Sequence, residues 1–226
     1  EQAPRFGGNA RGESWRGMDY AIGAAYFTAP EAGSPLAALY AELGVDRIWR
    51  RKPEGHPVAL DGRLVEDFWQ GETVPAAQRQ QFRTIADYFR RLNQGEGGLA
   101  YPQIPAATTR QRAHVNALDR VSFRRHVESV LRGRRLHPHI ATAFEHYCWS
   151  SFGASFSEVG AAAGLNFFAA EFGDILVTPG GNAAIAERLH ERLGRQLPEG
   201  HLRAGALVAN VRAVPDGFEV AYEDAA

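Results

Sequence analysis

Glycine-rich, strand-like ends flank a helical middle in this chain, and that layout limits what it can fold into. The first 28 residues hold Gly7, Gly8, Gly12, Gly17 and Gly23, which let a backbone turn tightly or approach a ligand closely. Residues 20–27 read as a strand or extended segment crossed by Gly23. A helix follows: Ser34 is a good N-cap, Pro35 suits the first helical position, and Gly44 stops it. Leu36, Leu39, Tyr40 and Leu43 give it one apolar face. Residues 45–75 are irregular, with strand-like pieces at 47–50 and 57–60 and a hairpin turn at Asp61-Gly62.

The middle is helical. Residues 76–93 form an amphipathic pattern with Phe82, Ile85, Phe89 and Leu92 on one side, and 94–109 is a loop broken by glycines and prolines. Ser122 caps a helix from Phe123 to about Leu131, and 137–151 is a second helix with Pro138 in its first turn. Ser155 and Glu158 have capping-box spacing, which predicts that a third helix opens there and runs through Gly164 to Ala170. After a short strand at 175–178, Pro179-Gly180-Gly181-Asn182 turns into a helix bearing Ile185, Leu189 and Leu193. Strands at 207–211 and 218–222 flank a turn at Pro215-Asp216-Gly217.

Composition narrows the function classes. With 45% hydrophobic and 11% aromatic residues in 226, the chain can bury a core, and whole-chain disorder is excluded. There is no apolar run of the length a membrane helix needs. A net charge of −1 argues against nucleic acid, whose binders carry a basic surplus. Cys148 is the single cysteine, so no internal disulfide can form. Lysine occurs once, at Lys52; the other cations are arginine.

The first nine residues carry the most chemistry. A carboxylate at a strand end, then a short loop to Gly7-Gly8, suits nucleotide binding. The carboxylate accepts from ribose hydroxyls, and glycine N–H groups can approach a pyrophosphate. A glycine-rich loop with an ordinary terminal Glu fits the same residues.

Glu1, Arg5, Gly7 and Gly8 match in identity and spacing the stretch after the second strand in the flavin-containing amine oxidase superfamily, which this segment resembles. That superfamily includes monoamine oxidases, protoporphyrinogen oxidases and phytoene desaturases. The family usually has Arg after the glycine pair, where Asn9 offers a neutral donor instead. Further blocks follow in order. The segment Tyr20-Ala-Ile-Gly23-Ala24-Ala25-Tyr26 resembles the one that passes beside the flavin ring, and Ala38 to Val45 resembles the end of the helix after it. Thr178 to Asn182 resembles a glycine-pair block. Val208 to Val211 with Asp216, Gly217 and Val220 resembles a hairpin whose Val backbone contacts adenine. The middle, from Ala117 to Phe123 and the helices after it, is similar to the helical substrate domain of bacterial members.

The resemblance implies an α/β plus α fold: a partial Rossmann-like FAD-binding domain at 1–48 and 174–226, with a mainly helical substrate domain inserted at 49–173. It implies FAD as cofactor and hydride transfer to flavin from a small-molecule substrate, an amine or an unsaturated lipid-like compound. The implied cofactor-binding residues are Glu1, Arg5, Gly7, Gly8, Asn9, Gly23, Ala24, Ala25, Tyr26 and Val208; no catalytic residue is assigned. The G-x-G-x-x-G fingerprint is absent, failing at Asn9 in the Gly7–Gly12 stretch, and the family places it just before the Glu1 position. The chain is therefore expected to be an internal piece of about half a flavoenzyme, inactive by itself and binding FAD weakly or not at all, cytoplasmic by default with export left open. The alternatives are a non-catalytic FAD-fold relative and a non-flavin helical binding module.

Other candidates have plainer readings. His137, His139 and His146 are read as structural or exposed and not as metal ligands. Cys148 is two residues from His146 on a helix, about 200° round its axis, and is read as core. Glu145, His146 and Tyr147 could line a substrate cavity, though most residues on such helices only pack. Arg124, Arg125, Arg132, Arg134 and Arg135 are read as solvated helix ends; an acidic substrate or a membrane surface is the minority reading.

Overall fold

Local signals place the elements, and a computed structural model describes residues 1–51, 55–60 and 62–224. Strands β1 (Gly12–Trp15), β2 (Met18–Ala21) and β3 (Tyr26–Thr28) lead to helix α1 (Pro35–Glu42) and the short β4 (Arg50–Arg51). Strands β5 (Val58–Leu60) and β6 (Arg63–Val65) precede five helices: α2 (Ala76–Gln94), α3 (Thr109–Leu118), α4 (Phe123–Val130), α5 (Pro138–Phe152) and α6 (Ala161–Ala169). Then come β7 (Ile175–Val177), α7 (Ala183–Gln196), β8 (Ala206–Val214) and β9 (Gly217–Asp224). The result is a mixed α/β architecture with an inserted helical region. The chain divides into two units: Glu1–Lys52 with Ile175–Ala226, and Pro53–Asp174.

In the first unit, β7 lies between β3 and β4 and is antiparallel to both, with Phe27 and Arg51 each opposite Leu176. Residues 20–27 are not one strand. They split into β2 and β3, because 22–24 turn aside to hydrogen-bond the 9–11 backbone. Helix α1 starts where its cap predicts: Ser34 Oγ accepts from the Ala37 N–H, and Gly44 ends the helix in the left-handed region. Its buried Tyr40 and Leu43 pack with Val45, Phe27, Trp49, Ile185 and Leu189 into a small core, while Leu36 stays exposed. Arg188 of α7 donates to the Leu43 carbonyl (2.9 Å), satisfying an acceptor freed at the helix end. Arg192 of α7 pairs with Glu42. Strands β8 and β9 form a two-stranded ribbon longer at both ends than 207–211 and 218–222.

The second unit holds the larger core. Phe82, Ile85, Phe89 and Leu92 of α2 are all buried, as the periodicity predicts. Among them Phe89 meets Phe123, Phe144 and Phe168 in edge-to-face and tilted ring contacts, and Phe156 packs edge-on against Phe123 in the same core. A Cβ on Gly164 would fall 2.3 Å from the Phe123 ring, so α6 and α4 approach through a position only glycine fits. The hairpin β5–β6 forms, with Val58 opposite Val65; Gly62 is in its turn, and Asp61 lies outside the described residues.

Two helix boundaries differ from expectation. Ser155 does bond Glu158, through both its N–H and its hydroxyl, but the pair closes a turn. Helix α6 starts only at Ala161, because the Phe123 and Arg124 N–H groups bond the carbonyls of Val159 and Phe156, holding this stretch in non-helical backbone. Helix α3 occupies residues the sequence left unassigned, opened by a capping box between Thr108 and Gln111.

Candidate functional site

Three glycine-bearing segments of the first unit interlock. Gly7 (φ 123°) and Gly8 (φ 53°) turn the chain through left-handed backbone that side chains rarely adopt. The Gly7 carbonyl accepts from the Ala10 N–H, and the Asn9 carbonyl accepts from Arg11 and Ala24 (2.8 Å for Ala24). The Arg11 carbonyl takes the Ile22 and Gly23 N–H groups. Against this loop Gly23 sits so close that a Cβ there would fall 1.9 Å from the Asn9 carbonyl oxygen. Among the described residues the N–H groups of Gly7, Gly8 and Asn9 donate to nothing. Consecutive free N–H groups on such a turn form a concavity that fits an anion. A Cβ on Gly8 would meet nothing within 4 Å, so the outer side of this loop is open.

The third segment is 179–183. The Asn182 N–H donates to the Ala24 carbonyl (2.9 Å), and its Nδ2 donates to Tyr26 O (3.2 Å). Its Oδ1 is buried without a partner. Gly181 lies against Ala21, Ala24 and Ala25, and Gly12 against the Gly180 carbonyl. Gly7, Gly8, Asn9, Gly23, Ala24, Ala25 and Tyr26 are thus brought together. The locking roles of Gly12, Gly181 and Asn182 were missed as site positions; the Pro-Gly-Gly-Asn run was the sequence signal for the last two.

Glu1 is anchored elsewhere in the first unit, with no bond to the 7–9 turn among the described residues. Its backbone nitrogen donates to Arg203 O (3.1 Å), and its carbonyl accepts from Ala206 N (2.8 Å), which seats the first residues beside the start of β8. Val208, half exposed, is two positions further along that strand. The Glu1 carboxylate is exposed and takes the Ala3 N–H on Oε1. Arg5 is exposed.

The second unit holds several of the other candidates. Glu145 is spent on structure, accepting from Trp149 Nε1 (2.9 Å) and Phe156 N (3.2 Å). Cys148 is buried in the aromatic core; burial first, then the nearby Glu145 carboxylate, pushes its thiol up to about 11. His137 caps α5 through Nδ1, and His146 is exposed. No group of His, Cys, Asp or Glu among the described residues is placed to hold a metal. No described helix is long and apolar enough to cross a membrane.

Comparison with known proteins extends this geometry. The family described as flavin containing amine oxidoreductase matches residues 1–226. Among solved structures, a CLA-producing fatty acid isomerase from P. acnes shares the fold at a TM-score of 0.55 and 16% identity. The likeness covers 99% of this chain and 49% of that one, so the chain spans about half its length. No curated protein matches.

Proposed function

Because this chain belongs to the flavin-containing amine oxidoreductase family, a family of FAD-dependent oxidoreductases, we propose that it serves an FAD-dependent oxidation. The substrate class is an amine or an unsaturated lipid-like compound. The single observation that carries the cofactor assignment is the 7–9 turn. Three adjacent N–H groups without partners, on the positive-φ Gly7 and Gly8 and on Asn9, sit on a turn that is open at Gly8 and packed against Gly23 at the Asn9 carbonyl. That donor set fits a pyrophosphate.

In this reading Gly7, Gly8 and Asn9 receive the pyrophosphate by backbone donation, and Arg5 adds a nearby cation. The Glu1 carboxylate keeps one oxygen free for ribose hydroxyls, and the Val208 backbone serves the adenine side. Gly23, Ala24, Ala25 and Tyr26 pass beside the ring system, fixed there by Asn182. When bound, flavin supplies the hydride-accepting chemistry; these residues supply position and exclusion of water. A fatty acid isomerase shares the fold, which supports keeping an unsaturated acyl substrate beside the amine.

The test is titration of FAD into the isotope-labelled chain, followed by amide resonances. FAD at millimolar concentration should move Gly7, Gly8 and Asn9, and Gly8→Val should abolish those shifts. Shifts confined to residues 55–174, or none at all, would reject the site and favour the non-flavin helical binding module. Anaerobic bleaching of bound flavin by primary amines or by unsaturated fatty acids separates the substrate classes. Flavin bound without bleaching by either marks a non-catalytic relative.

A further inference from the structure

The arginines after α4 are more than a solvated helix end. Arg132, Arg134 and Arg135 line a cleft of about 540 Å³ against the first half of α2, and no carboxylate lines it. None of the three makes an ion pair among the described residues. The loop that carries them is held at one end by Gln81, which donates to Arg135 O (3.0 Å) and accepts from His137 N (2.5 Å). Val130 and Leu131 give the cleft an apolar side.

Arg132 also stands in left-handed backbone, φ 55°, just past the α4 C-cap, where glycine is the favoured residue. Retaining a bulky cation at a strained position points from geometry to use. A second depression of about 560 Å³ shares Gln80, Thr84, Val130 and Arg132 with the first, so Arg132 stands where the two meet; the carboxylate lining the second, Asp87, is already paired with Arg90 and Arg91.

We propose that this trough binds a phosphate-class anion carried on a partly apolar molecule, at a site independent of the flavin reading. Guanidinium forks match phosphate oxygens bidentately, and three cations without counter-charges supply the attraction. An organic phosphate and an anionic lipid headgroup present this same chemistry.

The test compares the chain with Arg132→Gly, Arg135→Gln and, as a control outside the trough, Arg125→Gln. In one arm inorganic phosphate is titrated at constant ionic strength against chloride, which removes general screening. In the other, the protein is sedimented with phosphatidylglycerol vesicles or with phosphatidylcholine vesicles. Phosphate binding weakened at least about tenfold in R132G and R135Q, with R125Q unchanged, supports the site and a soluble phosphate source. Sedimentation with phosphatidylglycerol alone, lost in the same two variants, supports the site with a lipid source. Arg132→Gly relieves backbone strain, so its melting temperature should hold or rise, and lost binding cannot be ascribed to unfolding. Binding in neither arm, or binding equal in all four proteins, overturns the proposal.

Discussion

A methyl added at Gly23 would lie 1.9 Å from the Asn9 carbonyl oxygen, and the obstacle is backbone that is itself hydrogen-bonded to Arg11 and Ala24. Gly23→Ala must therefore displace the 7–9 turn, at a cost of about 1–3 kcal/mol typical of forced overpacking. Gly8→Ala meets open space and bears only the penalty of left-handed backbone, about 1 kcal/mol. Urea unfolding of the two variants should rank them in that order; equal costs would show that the 7–9 turn gives way freely. A second residue-scale expectation concerns the half-buried pair Tyr88 and His126, whose Oη and Nε2 lie 2.7 Å apart. Burial pushes Tyr88 up to about 12, and burial, then His114, holds His126 below its ordinary value of 6.5. The folded imidazole refuses a proton that the unfolded chain accepts. Stability is thus unaffected above pH 6.5 and falls as pH drops below it toward the folded value. The urea midpoint should fall over that window less steeply in His126→Gln than in the parent chain. Much at this scale was legible in the sequence: Ser34 and Ser122 cap helices, and the α2 apolar stripe is buried. What Gly23 presses against was not legible, because its neighbour lies in a loop with no periodic signal.

Two capping signatures, a few tens of residues apart, end differently. Thr108 and Gln111 open α3 by reciprocal hydrogen bonds, whereas Ser155 and Glu158 close a turn. The difference lies in what the following backbone must do. Residues 156 and 159 give their carbonyls to α4, while nothing draws 109–118 out of helix. Helix α3 escaped sequence reading because it buries no residue and so shows no apolar stripe. Its start therefore depends on its cap. Thr108→Ala should cost about 1 kcal/mol and speed amide exchange across the first turn of α3. Ser155→Ala should leave the protection of α6 unchanged, since that helix begins at Ala161. Faster exchange in α6 would mean that the turn acts as its cap after all. The β8–β9 ribbon also outran its sequence limits. Its register continues to Ala206 and Asp224, where Arg203 bonds Asp224 (2.5 Å) and Tyr222 (2.7 Å). Neither alternation nor turn residues announce a clamp made by a residue outside the strands.

At the scale of the whole chain, the first unit is assembled from segments separated by more than a hundred residues. Its sheet and its glycine interlock both need 175–183 to return beside 7–28. Mixed ends and a helical middle were legible from composition and punctuation; the family resemblance implied that the ends belong to one domain, and the sheet they share was not legible, since antiparallel β7 carries no local sign of its partners. The topology makes a direct test available. Arg51 is opposite Leu176 in an antiparallel pair, so the chain leaves and re-enters the first unit at neighbouring points. Closing that excursion costs loop entropy that grows with the logarithm of its length, so a two-residue turn in place of the insert saves on the order of 3 kcal/mol. A chain with residues 53–174 replaced by Asn-Gly, which favours a tight hairpin, should keep the β3–β7–β4 sheet. Dispersed amide resonances for Phe27, Leu176 and Ala24 would show it. The insert, expressed as residues 55–174, has its own aromatic core and should unfold cooperatively in urea. If the shortened chain loses dispersion while the insert stays folded, then the first unit draws stability from the insert, and its interlocked glycines are insufficient to hold the candidate cofactor turn.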